Sequence, residues 1–71
     1  MNTYHDVITL IRNTNILIDK RAKAKADTAE YRDLTDKIID METAIRGFQR
    51  EFCYTAYRFK RSGHWYAVFE Y

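Results

Sequence analysis

A chain of 71 residues, 46% hydrophobic and 31% charged, has the makeup of one small folded domain spanning 1–71 and not that of a disordered segment. The net charge of +2 is too small to mark a nucleic-acid binder by itself, and the longest aliphatic run, Ile16–Ile18, is far too short to span a membrane. Cys53 is the only cysteine, which excludes an internal disulfide.

Size is the harder constraint. A domain this short buries only about 60% of its unfolded surface, so its stability margin is thin. Small folds commonly recover margin through disulfides, a metal or oligomerisation. One unpaired thiol fits a reducing compartment, and the opening Met1–Asp6 lacks the basic stretch of a secretory signal, so the expectation is a cytoplasmic protein. Proline is absent and the only glycines are Gly47 and Gly63, which predicts few, long elements.

Residues 3–23 read as a first helix. Tyr4, Ile8, Ile11, Asn15, Ile18 and Ala22 alternate at spacings of four and three, and Val7, Leu10 and Leu17 widen that seam. Thr3 suits the N-cap, with Asp6 in the capping-box position. Asn15, inside the apolar seam, either fixes packing register or marks where the face turns outward.

Residues 28–51 read as a second helix with the strongest periodicity in the chain: Tyr31, Leu34, Ile38, Met41, Ile45, Phe48 and Phe52. Asp27 and Glu30 form a capping-box pattern at its start. Asp33–Lys37 and Glu42–Arg46 have the acid-before-base spacing that supports a helix. Gly47 marks either the helix end or a close backbone approach. The Lys20–Lys25 run contains no breaker, so one continuous helix over 3–51 is an alternative. The cap near Asp27 and the break in register, with Tyr31 off the first seam, favour two antiparallel helices. Charge agrees: residues 1–26 hold five basic and two acidic residues, residues 27–51 four basic and seven acidic, so each cluster sits at the helix end its dipole favours.

Residues 54–71 change character. Two aromatic-rich runs flank Ser62-Gly63, the pattern of a β-hairpin. With Ser62 and Gly63 as the loop, Arg61 faces His64 and Tyr54 faces Tyr71. One face then carries Tyr54, Ala56, Arg58, Lys60, Trp65, Ala67, Phe69 and Tyr71; the other carries Thr55, Tyr57, Phe59, Arg61, His64, Tyr66, Val68 and Glu70.

No catalytic signature emerges. There is no Gly-rich phosphate loop, no nucleophile elbow and no Cys/His cluster at metal spacing. Cys53 and His64 lie on different elements with no adjacent residue to orient the histidine, and Asp33, Asp36 and Asp40 read as a solvated helix face. The expectation is therefore a non-enzyme with no metal and no cofactor. The Lys20–Lys25 run reads first as dipole compensation and second as an anion contact.

The hairpin carries the functional signal. An isolated two-stranded sheet is marginal, so one face must pack on the helices. The second aromatic face then needs a partner: another copy of the chain, a different protein, or unpaired bases stacked on the rings with cations holding phosphates. The candidate interaction surface is Tyr57, Arg58, Phe59, Lys60, Arg61, Trp65, Tyr66, Phe69 and Tyr71; the candidate core is Ile8, Ile11, Ile18, Leu34, Ile38, Met41, Ile45 and Phe48. In size and composition alone, the chain resembles small phage-encoded proteins that bind and block host machinery. The expected fold class is α+β: an antiparallel two-helix hairpin followed by a C-terminal β-hairpin, assembled as a homodimer. The expected function is a protein-binding module acting through surface complementarity, an inhibitor or accessory subunit. A nucleic-acid-binding accessory is the alternative, and no membrane partner is expected.

Overall fold

The computed structural model describes residues 3–69, and of Thr3 only the backbone. Helix α1 spans Thr3–Lys23, helix α2 spans Ala29–Gly47, and strands β1 (Tyr54–Arg58) and β2 (Trp65–Phe69) form one antiparallel sheet. This is the expected α+β order of helical hairpin then β-hairpin. The expected Thr3 side-chain cap lies outside the described residues, as do Glu70 and Tyr71.

The chain breaks between the helices without glycine or proline. Thr28, not Asp27, is the N-cap: its hydroxyl accepts from the Tyr31 N–H at 3.2 Å and donates to the Lys25 carbonyl at 2.7 Å. A hydroxyl can do both, whereas an ionised carboxylate only accepts, which is why the cap moves one residue from the expected position. The pairing of the helices brings Arg21 beside Tyr31 and Thr35, with its guanidinium 5.9 Å from the Tyr31 ring centroid.

The seam of α1 is rotated from the expected one. Val7, Ile11, Thr14 and Ile18 are buried, while Ile8 is 45% exposed and leaves the core. Thr14 can be buried because its hydroxyl donates back to the Leu10 carbonyl at 2.8 Å, closing its own polar demand inside the helix. On α2, Leu34, Ile38 and Ile45 are buried as expected and Met41 is half-buried, but Phe48 is 40% exposed and stacks beside Phe52 instead of entering the core. Gly47 ends α2, and nothing approaches the position of its missing side chain, so it serves no close backbone contact.

Beyond Gly47 the chain keeps turning. Phe52 N–H donates to the Phe48 carbonyl at 3.0 Å, and Tyr54 N–H reaches back to Gln49 at 3.1 Å. Cys53, immediately before β1, takes φ +53, the left-handed geometry that ends such turns and that glycine adopts without cost. This reversal delivers Tyr54 into the core, where its hydroxyl donates to the Ile45 carbonyl and burial pushes its phenol pKa up.

In the hairpin Tyr54 pairs with Phe69, Tyr57 with Tyr66 and Arg58 with Trp65. The pairing is two residues out from the expected Tyr54–Tyr71. The loop is Lys60–Gly63, closed by Phe59 N–H to His64 carbonyl at 2.9 Å and Gly63 N–H to Phe59 carbonyl at 2.8 Å. A two-residue type I′ loop would need positive φ at both Ser62 and Gly63, and only Gly63 adopts it, at +75°. Because the shift is even, the two face assignments are unchanged.

Candidate interaction surface

The hairpin docks by its inner face. Tyr54 and Trp65 are buried, Ala56, Ala67 and Phe69 pack against the helical core, and Tyr4 meets the Phe69 ring edge-on at 4.6 Å. Asn15 settles the register between helix and sheet: its amide accepts from the Trp65 N–H at 2.7 Å and donates to the Trp65 carbonyl at 3.0 Å. It replaces a missing strand at the β2 edge, which is the register role the sequence left open. At the β1 edge the Gln49 side chain accepts from the Ala56 N–H at 2.8 Å. At the tip, His64 Nε2 lies 2.6 Å from Asp19 Oδ1.

Trp65 is the anchor of this face. Its indole N–H donates to Glu42 at 2.8 Å, and the guanidinium groups of Arg46 and Arg58 lie 5.3 and 5.8 Å from its ring centroid. Glu42 also pairs with Arg58 at 3.6 Å. The expected Glu42–Arg46 helix pair is thus redirected to the tryptophan, a tertiary demand that i,i+4 spacing alone does not reveal.

Trp65 and Phe69 consequently sit on the docked side, not on a free surface, and Tyr71 lies outside the described residues. The remaining members of the expected surface are exposed. Tyr57, Phe59, Tyr66 and Val68 form the outer face, at 47, 53, 39 and 50% exposure. Tyr57 and Tyr66 stack across the strands at 5.3 Å, and Phe59 lies 4.6 Å from Tyr66. Arg58, Lys60 and Arg61 are exposed beside them at the strand end and tip. Three aromatic rings held against one another lose little freedom when covered, which is the condition for a contact hot spot.

A groove of about 670 Å³ runs along the β1 edge against the last turns of α2. Arg46 from α2 and Gln49 from the turn after it line one side, with Arg58 and Lys60 on the hairpin. In the sequence Arg46 stands out only as the helix partner of Glu42, and Gln49 does not stand out. Their signal is purely tertiary: they flank an aromatic strand only because the turn at Cys53 folds β1 back along α2.

His64 does have an orienting acid, Asp19, which the sequence did not show. Cys53, however, precedes β1 at the end of the hairpin opposite His64, a five-residue strand away, so the two do not meet. Among the described residues no group of three His, Cys, Asp or Glu side chains could hold a metal ion, and no helix is long and apolar enough to cross a membrane. Comparison with protein-family models, curated proteins and solved structures yields no match.

Proposed function

We propose that this chain is a non-catalytic protein-binding module whose contact surface is the outer face of the β-hairpin. The observation that supports this is the contiguous exposed set Tyr57, Phe59, Tyr66 and Val68, held on a sheet whose other face packs Tyr54, Ala56, Trp65, Ala67 and Phe69 on the helical core. Exposed apolar patches rimmed by charge are characteristic of interaction sites. The module acts by surface complementarity, as an inhibitor or accessory subunit does.

Charge favours a different protein over a second copy. Residues 54–71 hold three basic residues and one acidic residue, so two hairpins brought face to face repel. A homodimer through this face has to overcome that repulsion with apolar burial alone. Base stacking on Trp65, one route to nucleic-acid binding, is closed because that ring is only 5% exposed.

The test is a photo-crosslinking amino acid placed at Phe59 and, as a control, at Ile39, which is equally exposed on α2. In lysate of cells that encode the chain, irradiation should give discrete protein adducts from position 59 and not from position 39. Adducts to nucleic acid alone, or equal labelling from both positions, would contradict the proposal. Adducts of twice the chain mass would replace the heterologous partner with a second copy.

A further inference from the structure

We infer that the groove between the last turns of α2 and strand β1 is a docking slot for an acidic, carboxylate-bearing segment of the partner protein. The inference rests on the reading of the hairpin as a protein-binding element and adds the chemistry of what is bound.

The slot is cationic by construction. Arg46, Arg58 and Lys60 line it together with Gln49 and Trp65, and no carboxylate does. Arg58 spends part of its charge on Glu42 at 3.6 Å, but among the described residues Arg46 and Lys60 have no carboxylate within ion-pair distance. Arg46 is nevertheless positioned, because its guanidinium lies over the Trp65 ring at 5.3 Å, and Trp65 is itself pinned by Glu42 and Asn15. A guanidinium held near an indole by a cation–π contact keeps N–H donors available for a carboxylate and loses less freedom on binding than a free side chain. The Gln49 side-chain oxygen accepts from the Ala56 N–H, and one amide N–H donates at 3.3 Å to the Arg46 carbonyl.

One feature points to carboxylates of a protein over phosphates of a single strand. The indole in the slot is covered by guanidinium groups, leaving no open ring for a base. The neighbouring Tyr57 and Phe59 also line the slot and contact Tyr66 on the outer face. The slot is therefore continuous with the outer aromatic face, and one partner can lay apolar residues on the sheet and acidic residues in the groove.

The test uses the full chain and three labelled probes: a peptide of alternating glutamate and leucine, its glutamine–leucine counterpart, and an oligo-deoxythymidine. The glutamate peptide should bind in fluorescence anisotropy with steep salt dependence, and the glutamine peptide should bind far more weakly. Arg46→Glu and Lys60→Glu should each lower affinity about tenfold, while Arg32→Glu, on α2 away from the slot, should not. Circular dichroism checks that each variant stays folded. Equal binding of both peptides, or indifference to Arg46→Glu and Lys60→Glu, would overturn the slot. Tighter binding of the oligonucleotide, lost in the same variants, would also overturn it by showing a phosphate site. Failure of the parent reading is seen separately, as absent protein adducts at position 59 whatever the peptides do.

Discussion

The two faces of the β-hairpin are built from the same kinds of residue and do opposite things. The inner face holds Tyr54, Trp65 and Phe69, and two of its three rings have polar atoms tied to the helices: Tyr54 hydroxyl to Ile45, indole N–H to Glu42, Trp65 backbone to Asn15. The outer face holds Tyr57, Phe59 and Tyr66, whose ring contacts are with one another. Neighbouring residues in the chain thus differ more than residues far apart: Trp65 is 5% exposed and Tyr66 39%. Composition cannot make this distinction. For Tyr54 and Trp65 it follows a matching polar group on a helix, since an aromatic with a heteroatom is buried cheaply only where that atom finds a partner.

The sharpest way to break the comparison is to remove the platform under the inner face. Ile38 is 1% exposed and belongs to the cluster that contains Tyr54 and Trp65, whereas its neighbour Ile39 is 52% exposed. Ile38→Ala should cost about 2–5 kcal/mol and leave the chain largely unfolded in thermal melts, because a domain this small has little more stability than that. Ile39→Ala should cost under about 0.5 kcal/mol. Equal effects would mean that the helical seam is wrongly placed.

Asn15→Ala should be next in size. It removes both hydrogen bonds to the Trp65 backbone and should cost roughly 1–3 kcal/mol. Loss should appear first as faster hydrogen exchange in β2 with α2 still protected; uniform loss across the chain would show that hairpin and helices are not separable.

Tyr54→Phe sharpens the same point through pH. Burial raises the folded phenol pKa above the ordinary value near 10, so the folded state holds its proton more tightly than the unfolded state. Below the unfolded value the contribution is fully present; it falls away as pH rises through the folded value. Wild type should therefore lose stability above about pH 10 faster than Tyr54→Phe, which in turn should be about 1 kcal/mol weaker at neutral pH for want of its hydroxyl. Parallel pH curves for the two proteins would contradict a buried phenol.

The smallest effects lie at the turn that aims β1. Gly47→Ala introduces a methyl group into open space and should stabilise by about 0.5–1 kcal/mol. Cys53→Gly relieves a positive φ and should stabilise by up to about 1 kcal/mol, where Cys53→Ser should be neutral.

Much of this architecture is legible in the residues, and the rest fails for identifiable reasons. The helix pair, its break and the hairpin follow from spacing, and both sheet faces follow from alternation, which survives a two-residue slip of register. The seam of α1 was misplaced by one step because Thr14 looks polar and Ile8 apolar. Burial went to the threonine, whose hydroxyl is satisfied within its own helix. Which hairpin face docks was not legible at all. That choice depends on Asn15 and Glu42, 50 and 23 residues from Trp65, and on the Ile45 carbonyl across the turn from Tyr54. The candidate slot was missed for the same reason, since Arg46 and Gln49 become neighbours of β1 only through the reversal at Cys53.

The most direct test of the division between the two faces is a pair of thermal melts on adjacent residues, Trp65→Ala and Tyr66→Thr. Threonine keeps the strand preference at the outer position while removing the ring. Trp65→Ala should cost about 3–5 kcal/mol and abolish cooperative melting near ambient temperature. Tyr66→Thr should cost no more than about 1 kcal/mol, a shift of roughly 4–8 °C, the worth of its cross-strand pairing. A Tyr66→Thr protein that unfolds like Trp65→Ala would make the outer rings structural and remove the ground for reading them as a contact surface.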